Sequence, residues 1–220
     1  MTRIAAPRAT RTVHEFVHNA LRAAVLDGTL TGGARLVQSD LAQQLGVSTT
    51  PVREALRDLA TEGLVVLDPH RGAVVRSLDI EEVRELYELR MTLEPLMVRR
   101  VAASITGERL DRAAELHGRM EEPSDPQTWS RLNRDFHALF SETADNSRLA
   151  SILTSLRDSA APYVAMSLVA QPEQAAQANA EHAEMVEAYR TGDVDRAIEL
   201  TLDHLRSTLR VIEEHILGRP

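Results

Sequence analysis

The chain carries eight histidines and no cysteine, so any metal site must be built from nitrogen and oxygen, and disulfides and thiol nucleophiles are excluded. Asn133 and His137 stand four residues apart, a spacing that sets both on one face of a helix, where they could share an ion. His182 and His204 fall in two later helical segments, which a helix bundle can bring beside the first. Neutral imidazole suits zinc, nickel and similar divalent ions. Asp135, two residues before His137, points to roughly the opposite face and cannot join them. His215 follows His204 on nearly the same face, but the helical rise places it ~16 Å away, too far for one ion. His14, His18, His70 and His117 lack such companions and read as surface residues.

A second constellation lies earlier in the chain. Ser48, Thr49 and Thr50 precede Arg53 and Arg57, which sit one helical turn apart. Hydroxyls and free backbone N–H groups at the start of a helix, followed by guanidinium groups on one face, suit phosphate oxygens and base edges. The alternative for Arg53 is an ion pair with Asp58 or Glu62, or simple solvation. Arg90 and Glu94 form an (i, i+4) pair, which by itself predicts an intrahelical salt bridge.

Two kinds of element must position these groups. From Thr12 to Leu26 the residues Val13, Phe16, Val17, Ala20, Leu21, Ala24 and Val25 recur at helical spacing, and Asp27-Gly28 closes the helix. Ser39 stands ahead of Asp40–Leu45 as an N-cap, and Gly46 ends that helix. Ser48 caps the next, with Pro51 in its first turn, Val52, Ala55, Leu56 and Leu59 facing inward, and an end near Glu62. Two short helices separated by Gly46-Val47-Ser48-Thr49 have the form of a helix-turn-helix, whose second helix enters the major groove N-terminus first. Residues 64–67 and 73–75, around a turn at Asp68-Pro69-His70-Arg71-Gly72, predict a β-hairpin wing. Beyond Ser77 the strand signals cease. Helices are expected at Ile80–Ser104, Glu108–Glu121, Pro126–Thr143, Arg148–Ala170, Pro172–Arg190 and Asp193–Leu217, joined by short loops as in an antiparallel bundle. The expected fold is therefore mainly α: a winged helix-turn-helix of three helices and a hairpin over 1–77, then an all-α six-helix bundle over 78–220.

Charge follows the same division. The net charge is -8, yet residues 1–77 hold nine arginines against seven acids, while 78–220 hold sixteen against twenty-six. A locally positive first segment tolerates phosphate, whereas the acidic remainder repels it. Every basic residue is arginine. Hydrophobic residues at 43% and charged residues at 26% fit a globular protein with a proper core, and no apolar run approaches the ~20 residues of a membrane span. Arg3, Arg8 and Arg11 are not followed by an apolar segment, so residues 1–11 read as a short arm rather than a signal peptide, and the expected location is the cytoplasm.

The segment Asp40-Leu41-Ala42…Leu45-Gly46-Val47-Ser48…Thr50-Pro51-Val52-Arg53-Glu54-Ala55-Leu56…Leu59…Gly63-Leu64-Val65 closely resembles the winged helix-turn-helix of the GntR family of bacterial repressors, over roughly residues 10–77. The resemblance implies that Arg53 contacts DNA and that Arg71-Gly72 is a wing tip approaching the minor groove. Ser39, Ser48, Thr49, Thr50 and Arg57 complete the expected DNA-facing set. Thr49 departs from the family pattern, which often has arginine there, implying one fewer positive charge per subunit.

Residues 78–217 resemble the helical FCD ligand-binding domain of the family's FadR branch. The residues carrying that likeness are Glu85-Leu86-Tyr87-Glu88-Leu89-Arg90…Leu93-Glu94-Pro95, Asn133…Phe136-His137, Glu181-His182 and Asp203-His204-Leu205. The resemblance implies a divalent metal, zinc or nickel, held by Asn133, His137, His182 and His204, with asparagine where aspartate is frequent. It also implies that Arg90 points into a cavity and forks onto the carboxylate of a small organic acid, with Arg157 and Tyr163 as further pocket residues. The expected whole is a ligand-responsive repressor of a metabolic operon, binding a short palindrome of double-stranded DNA as a homodimer. Two other readings are a metal-dependent hydrolase, for which no nucleophile or His-Glu-x-x-His signature is present, and a regulator whose metal is purely structural.

Overall fold

The computed structural model describes residues 12–68, 72–77, 79–122, 125–141, 147–171 and 173–217. The chain divides into two compact units, one running to Val25 and from Gly33 to Arg76, the other taking 26–32 and the residues from Ser77 onward.

The first unit contains helices α1 (Val13–Leu26), α2 (Gln38–Leu45) and α3 (Thr49–Thr61), and strands β1 (Arg35–Leu36), β2 (Val65–Asp68) and β3 (Gly72–Val75). Thr12 and Glu15 start α1 reciprocally: the Glu15 N–H donates to Thr12 Oγ1 (3.1 Å), and the Thr12 N–H donates to Glu15 Oε2 (2.9 Å). Val17, Leu21 and Val25 are buried, but Val13 and Phe16, expected on the same face, are more than half exposed. The seven apolar positions span more of the helix circumference than one packed stripe can cover. Ser39 is not the cap of α2. Val37 holds that position because its carbonyl already accepts from the Leu41 N–H (3.0 Å), which draws the helix start ahead of Ser39; the Ser39 hydroxyl donates to Asp40 Oδ1 instead. Gly46 closes α2 in the left-handed conformation (φ 66°). In α3, Val52, Ala55, Leu56 and Leu59 are buried as the spacing predicts. Strands β2 and β3 pair antiparallel from Val65↔Val75 to Asp68↔Gly72. β1 adds to the other edge of β3, a third strand whose two residues are too short to show alternation in sequence.

The second unit contains α4 (Ile80–Ala102), α5 (Gly107–Glu121), α6 (Pro126–Leu139), α7 (Arg148–Ala170), α8 (Glu173–Thr191) and α9 (Val194–Leu217). Asp79 and Glu82 form a capping box at α4, and Thr106, Asp125 and Ser147 cap α5, α6 and α7 through side-chain oxygens. The α6 helix stops at Leu139, short of the expected Thr143. α4 packs on α7 and α9, α5 on α6 and α8, and α6 on α7. Met97, Val101, Trp129, Phe136 and Leu153 lie in the main core, and Val83, Tyr87, Tyr163, Leu205 and Ile212 in a second cluster. Among the described residues no helix is long and apolar enough to cross a membrane.

Candidate metal centre, effector cavity and nucleic-acid interface

Three helices converge on three imidazoles. His137 on α6, His182 on α8 and His204 on α9 each offer a ring nitrogen, and these nitrogens all lie within 4.8 Å of one another. The ring centroids are 4.9 to 5.2 Å apart. His182 is fully buried (0% exposed), and both its ring nitrogens are shielded from solvent with no hydrogen-bond partner. Leaving a buried polar group unmatched costs on the order of 1–3 kcal/mol, so this arrangement is a poor packing solution but a suitable ligand set. The ring is held by apolar contact, with Phe136 at 4.6 Å and Trp129 at 6.2 Å between centroids. Trp129 is itself fixed by donating to Asn179 Oδ1 (3.2 Å), while Asn179 donates to the Met120 carbonyl (2.8 Å).

His204 is oriented from outside the cluster. Its Nδ1 lies 2.6 Å from Glu181 Oε2, so that a proton on Nδ1 leaves the Nε2 lone pair for an ion, as in carboxylate-oriented metal ligands. Partial burial pushes the Glu181 carboxyl up, but hydrogen bonds from His204, Gln177 and Ser207 hold it below the usual carboxylate range. Burial, together with the positive potential of the other imidazoles, pushes His137 and His182 well below the ordinary histidine value; Arg157 and Arg90 add to the effect at His137. Both rings are therefore neutral at neutral pH and present lone pairs.

A cavity of about 90 Å³ lies along this cluster, with Arg90, Asn133, Arg134, His137, Arg157 and His204 in its wall. Arg90 is buried and lines the cavity, but its Nε and Nη2 donate to Glu94 Oε1 at 3.3 and 3.2 Å. Arg157 donates to the same carboxylate, through Nε at 3.0 Å and through Nη2, and its Nη1 donates to the His137 carbonyl (3.1 Å). Burial alone would raise the Glu94 carboxyl; the two guanidinium groups outweigh it and hold the group below its ordinary value. Sequence spacing shows Glu94 only as the partner of Arg90, because the bond from Arg157, 63 residues away, is tertiary. The same holds for Glu181 acting on His204 from α8.

Other expectations need correction. Tyr163 is not part of the cavity wall; it packs in the core beside Tyr87 and Leu205, because its position on α7 faces α4 and α9. His117 is half-buried, its Nε2 2.9 Å from the Asn179 carbonyl. His14 and His18 are partly covered and pair across helices with Asp58 (2.9 Å) and Glu62 (2.6 Å). His70 lies outside the described residues. His215 is not in the three-histidine group. Asn133 shares the cavity wall with His137, and its Oδ1 is buried without a hydrogen-bond partner.

The polar face of the first unit is the reverse of this interior. Ser39, Ser48, Thr49, Thr50, Arg53, Arg57 and Gly72 are all exposed. Ser48 holds the N-cap position of α3, but its hydroxyl makes no capping bond. The acids that could neutralise Arg53 are committed elsewhere, Asp58 to His14 and Glu62 to His18 and Arg22. Among the described residues Arg53 makes no ion pair, so the pairing with Asp58 or Glu62 is not formed. Gly72 adopts φ 77°, a turn conformation suited to glycine; Arg71, expected at the wing tip, lies outside the described residues.

Comparison with known proteins matches residues 14–75 to the bacterial regulatory proteins of the gntR family and residues 85–207 to the FCD domain. A probable D-xylose utilization operon transcriptional repressor from Paenarthrobacter nicotinovorans is 30% identical over 210 residues, 92% of this chain and 90% of that one. The uncharacterized helix-turn-helix regulator YdhC of Bacillus subtilis (strain 168) is 31% identical over 145 residues, 64% of this chain and 65% of its own length. Among solved structures, E. coli McbR/YncC superposes with a TM-score of 0.82 at 22% identity, covering 93% of this chain and 98% of that one, a likeness of fold.

Proposed function

Given that this chain belongs to the GntR family of bacterial transcriptional regulators and carries its FCD domain, we propose that it is a homodimeric repressor, of the FadR branch, whose hold on a palindromic operator is set by a small carboxylate bound beside a divalent metal ion. It is a regulator and not an enzyme. The helix-turn-helix brings DNA binding and the FCD domain brings a small-molecule effector; metal, acid and dimer are the further steps proposed.

The observation that carries the metal reading is His182, fully buried with two unpartnered nitrogens, inside a group of three imidazoles whose ligand atoms lie within 4.8 Å of one another. His137, His182 and His204 would hold the ion, and the carbonyl oxygen of Asn133 would supply a neutral oxygen. Such an ion, zinc or nickel by the nature of the donors, supplies a Lewis-acidic anchor for one carboxylate of the effector. Glu181 orients His204, and Trp129 with Phe136 fixes the ring of His182. On the DNA side, Arg53 and Arg57 with the hydroxyls of Ser48, Thr49 and Thr50 meet the major groove, with Ser39 and the Arg71-Gly72 wing beside them. A two-fold dimer doubles this small footprint. Effector binding favours one arrangement of the dimer over another and so changes the match to the half-sites, a population shift.

The test is to strip the purified protein with a chelator, reload it with Zn²⁺ or Ni²⁺, and follow its thermal midpoint with and without organic acids. Metal is expected to raise the midpoint and acids to raise it further only in the loaded protein. A metal-induced rise with no response to any acid leaves the metal purely structural, and no response to metal overturns the metal reading.

A further inference from the structure

The cavity has a second polar end that the metal and the Arg90–Glu94–Arg157 network leave unused. Most polar side chains of the wall are already matched within the protein: Arg90 and Arg157 on Glu94, His204 on Glu181, Thr208 on the His204 carbonyl. Ser130 and Arg134 are not, and Asn133 between them has only the ion proposed above. Ser130 Oγ, Asn133 Oδ1 and Arg134 Nη1 are all shielded from solvent without a hydrogen-bond partner, and all three residues line the cavity. They share one helix, α6, at spacings of three and four residues that continue to His137, so a single face of α6 presents them in a row. Ser130 is only 7% exposed.

A buried guanidinium N–H and a buried hydroxyl left without an acceptor on residues that line a cavity are recognition groups for an oxyanion, since Arg is the side chain best suited to fork onto a carboxylate. Arg90 is the poorer candidate, because Glu94 already occupies it. Charge points the same way: the Arg90, Arg157 and Glu94 group carries one net positive charge, Arg134 adds another, and Glu181 on His204 contributes one negative charge. With the two charges of a divalent ion at the histidines the total is three positive, so a singly charged acid leaves an excess that a second carboxylate beside Arg134 reduces.

We propose that Arg134, assisted by Ser130, holds a second carboxylate, so that the effector is a short dicarboxylic acid, one end at the three histidines and the other at Arg134. This rests on the acid-sensor reading above and adds the class of acid. The cavity volume is about 90 Å³, which calls for a chain of a few carbons.

The experiment is calorimetric titration of the full-length, Zn²⁺-loaded protein with the diacids malonate, succinate, glutarate and adipate and the monoacids of equal chain length. The wild-type protein is expected to bind at least one diacid about tenfold or more tightly than its matched monoacid, the effect of a charge-assisted contact. In R134Q the diacid weakens to the level of the monoacid, whose affinity stays unchanged; R134K recovers part of the preference, and S130A loses a smaller part. Circular dichroism and Zn²⁺ affinity of R134Q should match the wild type, which separates a lost contact from a lost fold. Equal binding of diacids and monoacids by the wild type, or a diacid preference that survives in R134Q, overturns the proposal while leaving an acid sensor standing. Failure of every acid to bind the loaded protein overturns both.

Discussion

The two units of this chain handle polar groups in opposite ways. In the first, uncommitted groups lie outside: Arg53, Arg57 and the hydroxyls at the start of α3 are exposed, and the nearby acids are tied to His14, His18 and Arg22. In the second they lie inside: His182, Asn133, Ser130 and Arg134 carry unmatched polar atoms in the interior. An exposed unmatched group costs nothing, because water serves it, and becomes useful only when a partner arrives; a buried one is held against a penalty by the rest of the fold. The first pattern suits a surface that meets a large polyanion, the second a cavity that takes up a small ligand.

Substitutions that move a group from one pattern to the other should give the largest effects. Arg53→Ala is expected to weaken operator binding by about thirtyfold or more, since one base-contacting arginine per subunit is worth ~1–3 kcal/mol and the dimer counts it twice. Electrophoretic mobility shift at physiological salt measures this, and circular dichroism should show unchanged helix content. Retained binding would turn the exposed arginine into a merely solvated one.

In the interior, His182→Leu should have two signs. The metal-free protein is expected to gain about 1–3 kcal/mol, because a buried group with no partner is replaced by one that needs none. The Zn²⁺-dependent rise in melting temperature is expected to vanish. Calorimetric melting with and without Zn²⁺ checks both, and a destabilised metal-free variant would show that the buried imidazole is matched after all.

Smaller effects come from the two positions that depart from the family pattern. Asn133→Asp adds a charged oxygen to the ligand set and should tighten Zn²⁺ binding by about tenfold, read by competition with a chromogenic chelator. Thr49→Arg adds one phosphate contact per subunit, and should steepen the dependence of log affinity on log salt by about one for each subunit.

Much of this was legible in the chain because it is written locally. The buried face of α3, the stop at Gly46, the paired strands of the wing and the six helices of the second unit follow from spacing and punctuation within short windows. Ser39 misled because a residue with a good capping side chain was outranked by backbone bonding from Val37, which no side-chain preference reveals. β1 was hidden by being two residues long. Within the site, His137, His182 and His204 were visible as residues, but their convergence depends on how α6, α8 and α9 pack. Glu94 as the hub for two arginines, and Glu181 as the group that orients His204, are contacts over 63 and 23 residues of chain. Tyr163 has a side chain that would suit a pocket wall, and only packing shows that it lies in the core.

The most direct test of the central claim is an anomalous difference map at the zinc edge, from crystals of the full chain grown with Zn²⁺. The account predicts one peak per chain among His137, His182 and His204, with no peak there in His182→Leu. Density that lies elsewhere, or none at the three imidazoles of the wild-type protein, would contradict it.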